Sequence, residues 1–154
     1  MIKKIIQTTY LISINKVDKI LVDTNIVLDL LGKREQFLSE AQILFSLADR
    51  KKVKLYVSSL TFANTYYILT KELKSSEVRK TLRKLKLLVE ILSMDDKIIN
   101  LSLNSDFKDF EDAIQYYTAI ENKLNLILTR NLKDFKLSKL PVMSAKEYLE
   151  IKNQ

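Results

Sequence analysis

Short apolar runs alternating with helical stripes constrain this chain to a narrow set of folds. Lys19-Ile20-Leu21-Val22, Lys54-Leu55-Tyr56-Val57, Ile91-Leu92 and Asn125-Leu126-Ile127-Leu128 carry almost no polar alternation. Runs of that kind fit strands buried on both faces of a sheet. The stretches between them keep helical periods. A helix runs from Thr24 or Asn25, either of which can cap it, to about Leu31, where Gly32 ends it. Phe37, Ala41, Leu44 and Ala48 place a second helix over roughly 36–51. Ser58 and Ser59 stop a strand and can cap a helix from Leu60 to about Leu73. Val78, Leu82, Leu85 and Val89 form one apolar stripe of a helix over 78–89. Asp95 opens a helix containing Ile98, Ile99 and Leu103, and Asp109 opens another that packs through Phe110, Ala113, Ile114 and Tyr117. A short edge strand near Val142 and a helix capped by Ser144 complete the pattern. Strands alternating with helices predict an α/β protein with a mainly parallel sheet covered on both faces. Residues 1–17 read as an N-terminal extension and 18–154 as one domain.

Composition limits the chemistry. The chain has no His and no Cys, which excludes Ser-His-Asp triads, imidazole acid–base pairs, zinc hydrolase motifs and disulfides. Lys plus Arg number 26 against 19 Asp plus Glu, a net charge of +7 with a pI near 9.4. That balance favours a polyanionic partner, although a basic surface also serves solubility alone. No run approaches the roughly 20 apolar residues of a membrane span. Lys3-Lys4 precedes an apolar stretch broken by Gln7-Thr8-Thr9 with no small-residue cleavage site, so no secretory signal is expected and a cytoplasmic location is.

The acids sit where α/β folds bind ligands. Asp23 follows the first strand directly. Thr129, Asn131 and Asp134 follow the strand at 125–128, and Asp109 and Asp112 stand on the helix leading into that strand. Ligands of open α/β sheets bind beyond the carboxyl ends of the strands, and carboxylates gathered there suit Mg²⁺ or Mn²⁺. Each acid also has a plainer reading. Asp23 can be a helix cap. Asp109 and Asp112 can be first-turn acids favoured by the helix dipole. Thr129, Asn131 and Asp134 can form an ordinary turn. Arg79, Lys80, Arg83, Lys84 and Lys86 offer phosphate contacts on one basic helix, or simply a solvated face.

Four segments together resemble the PIN-domain ribonucleases, particularly the VapC-type toxins of bacterial toxin–antitoxin pairs. They are Ile20–Asn25 with Val27–Leu31, Val57–Ala63, Asp109–Ala113 and Leu128–Phe135, in the family's order and spacing, and the resemblance covers about residues 18–150. It implies a three-layer α/β/α fold and a divalent-metal site that cleaves RNA phosphodiesters. By motif position it makes Asp23 the first metal ligand and Asp112 the third acid, with Asp109 a neighbouring ligand candidate. The fourth position falls in the turn that carries Asn131, with Asp134 close behind. Thr24, Asn25, Thr129 and Asn131 would orient ligands or waters. The family's second acid, a Glu, corresponds to Asn64, a neutral residue that keeps a carbonyl oxygen for a hard cation.

The expectation is therefore a Mg²⁺- or Mn²⁺-dependent endoribonuclease, the toxin of a toxin–antitoxin pair. Asp23, Asp112, Asp134 and Asn64 would form its catalytic site. Arg79, Lys80, Arg83, Lys84, Lys86 and Arg130 would bind RNA. A cognate antitoxin protein is the expected partner, a homodimer is left open, and no membrane association is expected. The alternative is a degenerate PIN domain that binds RNA or a partner protein without cutting, which Asn64 favours.

Overall fold

The computed structural model describes residues 16–153 of the 154-residue chain. The expected extension over residues 1–17 lies almost wholly outside the described residues. In chain order the elements are β1 (Lys19–Val22), α1 (Thr24–Leu31), α2 (Glu35–Asp49), β2 (Lys54–Ser58), α3 (Ser59–Leu69), α4 (Ser75–Leu85), β3 (Val89–Leu92), α5 (Asp96–Leu103), α6 (Phe110–Glu121), β4 (Leu126–Leu128), a 3-10 turn (Leu132–Phe135), β5 (Val142–Met143) and α7 (Ala145–Lys152). Among the described residues no helix is long and apolar enough to cross a membrane.

The strands form a five-stranded sheet in the order β3-β2-β1-β4-β5, and every pair is parallel. Alternation along the strands assigns the layers. Ile20, Val22, Leu55, Val57, Leu126 and Leu128 point into one core with Ile26 and Val27 of α1, Leu44 and Phe45 of α2, Leu85 of α4 and Tyr148 of α7. Leu21, Tyr56 and Ile127 point the other way, against Tyr116 and Ala119 of α6 and against Phe135. The result is the expected three-layer α/β/α arrangement. Ile20, Leu21, Val22, Ile127 and Leu128 are fully buried, and each such side chain contributes about 1.5–3 kcal/mol through burial.

The strand order reverses between β1 and β4, because the chain builds outward from β1 in one direction and then returns to add β4 and β5 on the other side. In open α/β sheets such a reversal places the ligand crevice beyond the carboxyl ends of the strands, here β1 and β4. Two strands there pass into helices without a loop. Asp23 makes the last ladder bond, its N–H donating to the Leu128 carbonyl at 2.9 Å, and then caps α1. Ser58 ends β2 and caps α3 through Thr61 N–H. Gly32 closes α1 because a Cβ there would lie 2.8 Å from the Leu28 carbonyl oxygen.

Four local expectations need correction. The cap of α1 is Asp23, as its plainer reading had it, and not Thr24 or Asn25: its carboxylate accepts the Thr24 N–H. Helix α4 ends at Leu85, and Val89 belongs to β3, paired with Leu55. The stripe ran on because Leu85 and Val89 enter the same core from different elements, across a turn that leaves Leu87 exposed. Helix α3 stops at Leu69, and Thr70 to Leu73 fold back in turns onto its last carbonyls. Asp109 stands before α6 as its N-cap and not within it.

Candidate active site

Asp23 is the fixed point of the crevice. It is only 6% exposed, yet four donors surround its carboxylate. Thr24 N–H (2.7 Å) and Gln115 Nε2 (3.2 Å) donate to Oδ1; Thr129 Oγ1 (2.8 Å) and Asn25 Nδ2 (3.4 Å) donate to Oδ2. Burial pushes the Asp23 carboxyl above the ordinary carboxylate range, against the pull of Thr129, Thr24 and Gln115, while the charge on Glu111 adds to the rise. The cap explanation and the ligand explanation thus hold together. One oxygen closes the helix, and the whole group is held in one orientation at the strand end.

The residues around Asp23 tie the loops of the crevice to one another. Asn25 Nδ2 also donates to Thr129 Oγ1 at 3.1 Å, and Asn25 Oδ1 accepts from Arg130 N–H at 3.2 Å. Thr129, wholly buried, accepts from Asn131 N–H at 3.1 Å. Asn131 itself is exposed. On the other side Thr24 Oγ1 lies 2.9 Å from Thr61 Oγ1, which also accepts from Gln115 Nε2 at 2.8 Å. Gln115 and Thr61 do not stand out in the sequence. The usable signal was a Gln on the apolar face of α6, between Ile114 and Tyr116, both buried.

Asp112 sits half-buried on the first turn of α6, and the Asp109 cap accepts its N–H at 3.0 Å. Burial, then the charges of Asp109, Asp23, Asp134 and Glu111, push the Asp112 carboxyl up to about 7. Asp112 thus lies within the electrostatic reach of Asp23, Asp109 and Asp134, and also of Glu111, a residue not singled out by the sequence. Asp134 lies exposed on the 3-10 turn. Asn64 faces α6 from α3 and donates its Nδ2 to Glu111 Oε1 at 3.4 Å.

The donor set fits a hard divalent cation: carboxylate, amide and hydroxyl oxygens, no nitrogen or sulfur ligand, and clustered negative charge that a cation would relieve. The amide oxygen of buried Gln115 has no hydrogen-bond partner among the described residues, an acceptor left over beside Asp23. Among the described residues, no group of three or more acids is already arranged to hold an ion. Asp23 is pre-set, whereas Asp134 and Glu111 are solvent-facing side chains free to adjust.

The basic residues divide into three groups. Arg79, Arg83 and Lys86 line a shallow groove with Phe62, Tyr66 and Leu82, and the Arg79 guanidinium lies 5.7 Å from the Tyr66 ring centroid. Lys80 and Lys84 are exposed on α4 outside that lining. Arg130 is engaged within the fold. Its Nε lies 2.9 Å from Oδ2 of buried Asp29, and its guanidinium stacks 4.2 Å from the Phe37 centroid.

The chain is similar to known proteins in sequence and in fold. Over 141 residues it is 29% identical to Ribonuclease VapC1 of Aquifex aeolicus (strain VF5), covering 86% of this chain and 94% of that one. Its fold matches a toxin–antitoxin complex from Klebsiella pneumoniae with a TM-score of 0.60 and 26% identity, covering 81% of this chain and 96% of that one. It also matches DNA-bound VapBC from Salmonella typhimurium with a TM-score of 0.64 and 17% identity, covering 84% and 99%. Residues 19–133, well over half of the sequence, match the PIN domain family model, and the chain belongs to the PIN-domain family.

Proposed function

We propose that this protein is a divalent-metal-dependent endoribonuclease and the toxin half of a toxin–antitoxin pair. The observation that carries the reading is the buried, four-fold hydrogen-bonded Asp23 at the β1/β4 reversal, within electrostatic reach of Asp112, which also feels Asp134. The relative named as a ribonuclease and the structural likeness to toxin–antitoxin complexes support it.

Asp23, Asp112 and Asp134 would hold Mg²⁺ or Mn²⁺, with Asp109 beside them. When bound, the ion supplies Lewis-acid charge to the scissile phosphate and lowers the pKa of an attacking water. The chain's own residues do the rest. Thr24 N–H, Gln115, Thr129 and Asn25 fix the direction of the Asp23 carboxylate, so little reorganisation is left for the reaction. Asn25 and Thr129 lock the loop after β4 against α1, which fixes the approach to Asp134. Arg79, Arg83 and Lys86 hold the RNA backbone along the α3/α4 groove, with Lys80 and Lys84 adding to the basic field. Arg130 acts through Asp29 and Phe37, keeping the site loop in place.

Purified protein should cut RNA with Mg²⁺ or Mn²⁺, stop in excess chelator and resume when Mn²⁺ is restored. Cleavage that continues unchanged in chelator contradicts the metal-dependent reading. The toxin role predicts growth arrest on expression, relieved by the product of an adjacent small reading frame. Expression without any growth defect contradicts it. One observation favours the second reading, a domain that binds RNA without cutting: Asn64 brings no charge to the α3 side of the crevice. That reading predicts salt-sensitive RNA binding with no metal-stimulated cleavage.

A further inference from the structure

We propose that Glu111 is a further carboxylate of the cation site, closing the crevice on the side where α3 presents only neutral groups. This rests on the metal-dependent reading above and adds a residue to it. From β1 the crevice receives Asp23, from the first turn of α6 Asp112, and from the 3-10 turn Asp134. From α3 it receives the hydroxyl of Thr61 and the amide of Asn64. Glu111 reaches across from α6 to that wall, its Oε1 lying 3.4 Å from Asn64 Nδ2. It directly precedes Asp112 in the chain and shares the first turn of α6 with it. One turn further along the same helix stands Gln115, whose buried Oε1 has no hydrogen-bond partner among the described residues. Residues four apart on a helix share a face, so Glu111 and Gln115 stand one above the other on the side of α6 that contacts Asn64, Thr61 and Asp23. Glu111 is exposed; among the described residues Asn64 is its hydrogen-bond partner, and an exposed carboxylate can turn between that amide and a cation at little cost. The Asn64 amide N–H steers it toward the crevice.

The test uses the full-length protein and Mn²⁺ alone, with affinity read by calorimetry and by the metal-induced rise in Tm. Glu111→Gln should weaken Mn²⁺ binding by about tenfold or more, in the range for losing a supporting group of a metal site. Its apo Tm should not fall, because the residue is exposed. Glu150→Gln removes an exposed charge from α7 and should leave affinity within about twofold, as expected of a screened surface charge. Asn64→Glu/Glu111→Gln moves the carboxylate to the α3 side and should recover most of the lost affinity. Wild-type affinity in Glu111→Gln, with binding still weakened by Asp23→Asn, overturns the role of Glu111 and leaves the metal reading standing. Failure of the wild type to bind Mn²⁺ overturns both. Failure of the Asn64→Glu swap to recover affinity overturns the placement of Glu111 opposite α3.

Discussion

At the residue scale, burial and neighbouring charge disfavour the ionised carboxylates of the site, a cost that a cation would offset. Asp23 and Asp112 titrate above their ordinary value of 3.8, Asp112 at about 7, with burial the largest cause for each. The native state therefore binds more protons than the unfolded chain between about pH 4 and 7, and these groups make stability fall as pH rises through that window. The apo Tm should drop from pH 5 to pH 8, and saturating Mn²⁺ should flatten the slope. Asp112→Asn should stabilise the apo protein at pH 8 by about 1–2 kcal/mol, well below the full linkage value because the carboxyl is half solvated. An apo Tm that rises steadily over this range, in wild type and Asp112→Asn alike, contradicts the assignment. Arg130 makes an opposite kind of prediction. Asp29 is 2% exposed, and Arg130 is its close cation, with Arg34 farther away at 3.8 Å. Arg130→Ala should lower stability by about 2–3 kcal/mol, because a buried charge loses its partner. Unchanged thermal stability with weakened RNA binding would return Arg130 to the surface role its sequence position suggested.

At the element scale, much was legible in the sequence, and what escaped has physical causes. Four apolar runs without polar alternation marked strands buried on both faces, and Leu21, Tyr56 and Ile127 do enter the core opposite that of their neighbours. The ends of helices were harder. Val89 keeps the period of α4 because sheet and helix share one core, so periodicity alone cannot say where one yields to the other. Asp109 looked helical because a cap stands three residues from the N–H it accepts, the same spacing that puts two side chains on one helix face. Thr61, Glu111 and Gln115 were passed over because their roles arise where α3, α6 and the end of β1 meet, 54 residues apart for Gln115 and Thr61. Helix α4 carries the element-scale prediction. Reversing Arg79, Arg83 and Lys86 to Glu should weaken single-stranded RNA binding and reduce the magnitude of its salt slope by roughly 2, about 0.7 for each phosphate no longer neutralised. Unchanged affinity and slope would assign the α3/α4 groove to something other than RNA.

At the scale of the whole molecule, five parallel strands in the order β3-β2-β1-β4-β5 put the reversal between β1 and β4, where Asp23 and Thr129 stand hydrogen-bonded at the strand ends. A net charge of +7 surrounds a locally acidic crevice. That contrast suits a polyanion drawn in over a distance and a cation placed where the chain is most negative. Without His or Cys, the chain has few other ways to activate a water or stabilise a leaving group. The most direct test is single-turnover cleavage of RNA in Mn²⁺ by wild type and by Asp23→Ala/Asp112→Ala, with RNA affinity measured on the same samples. The account predicts cleavage by the wild type, loss of the rate by at least about a thousandfold in the variant, and RNA affinity retained within a few-fold. Equal rates for the two proteins would contradict it.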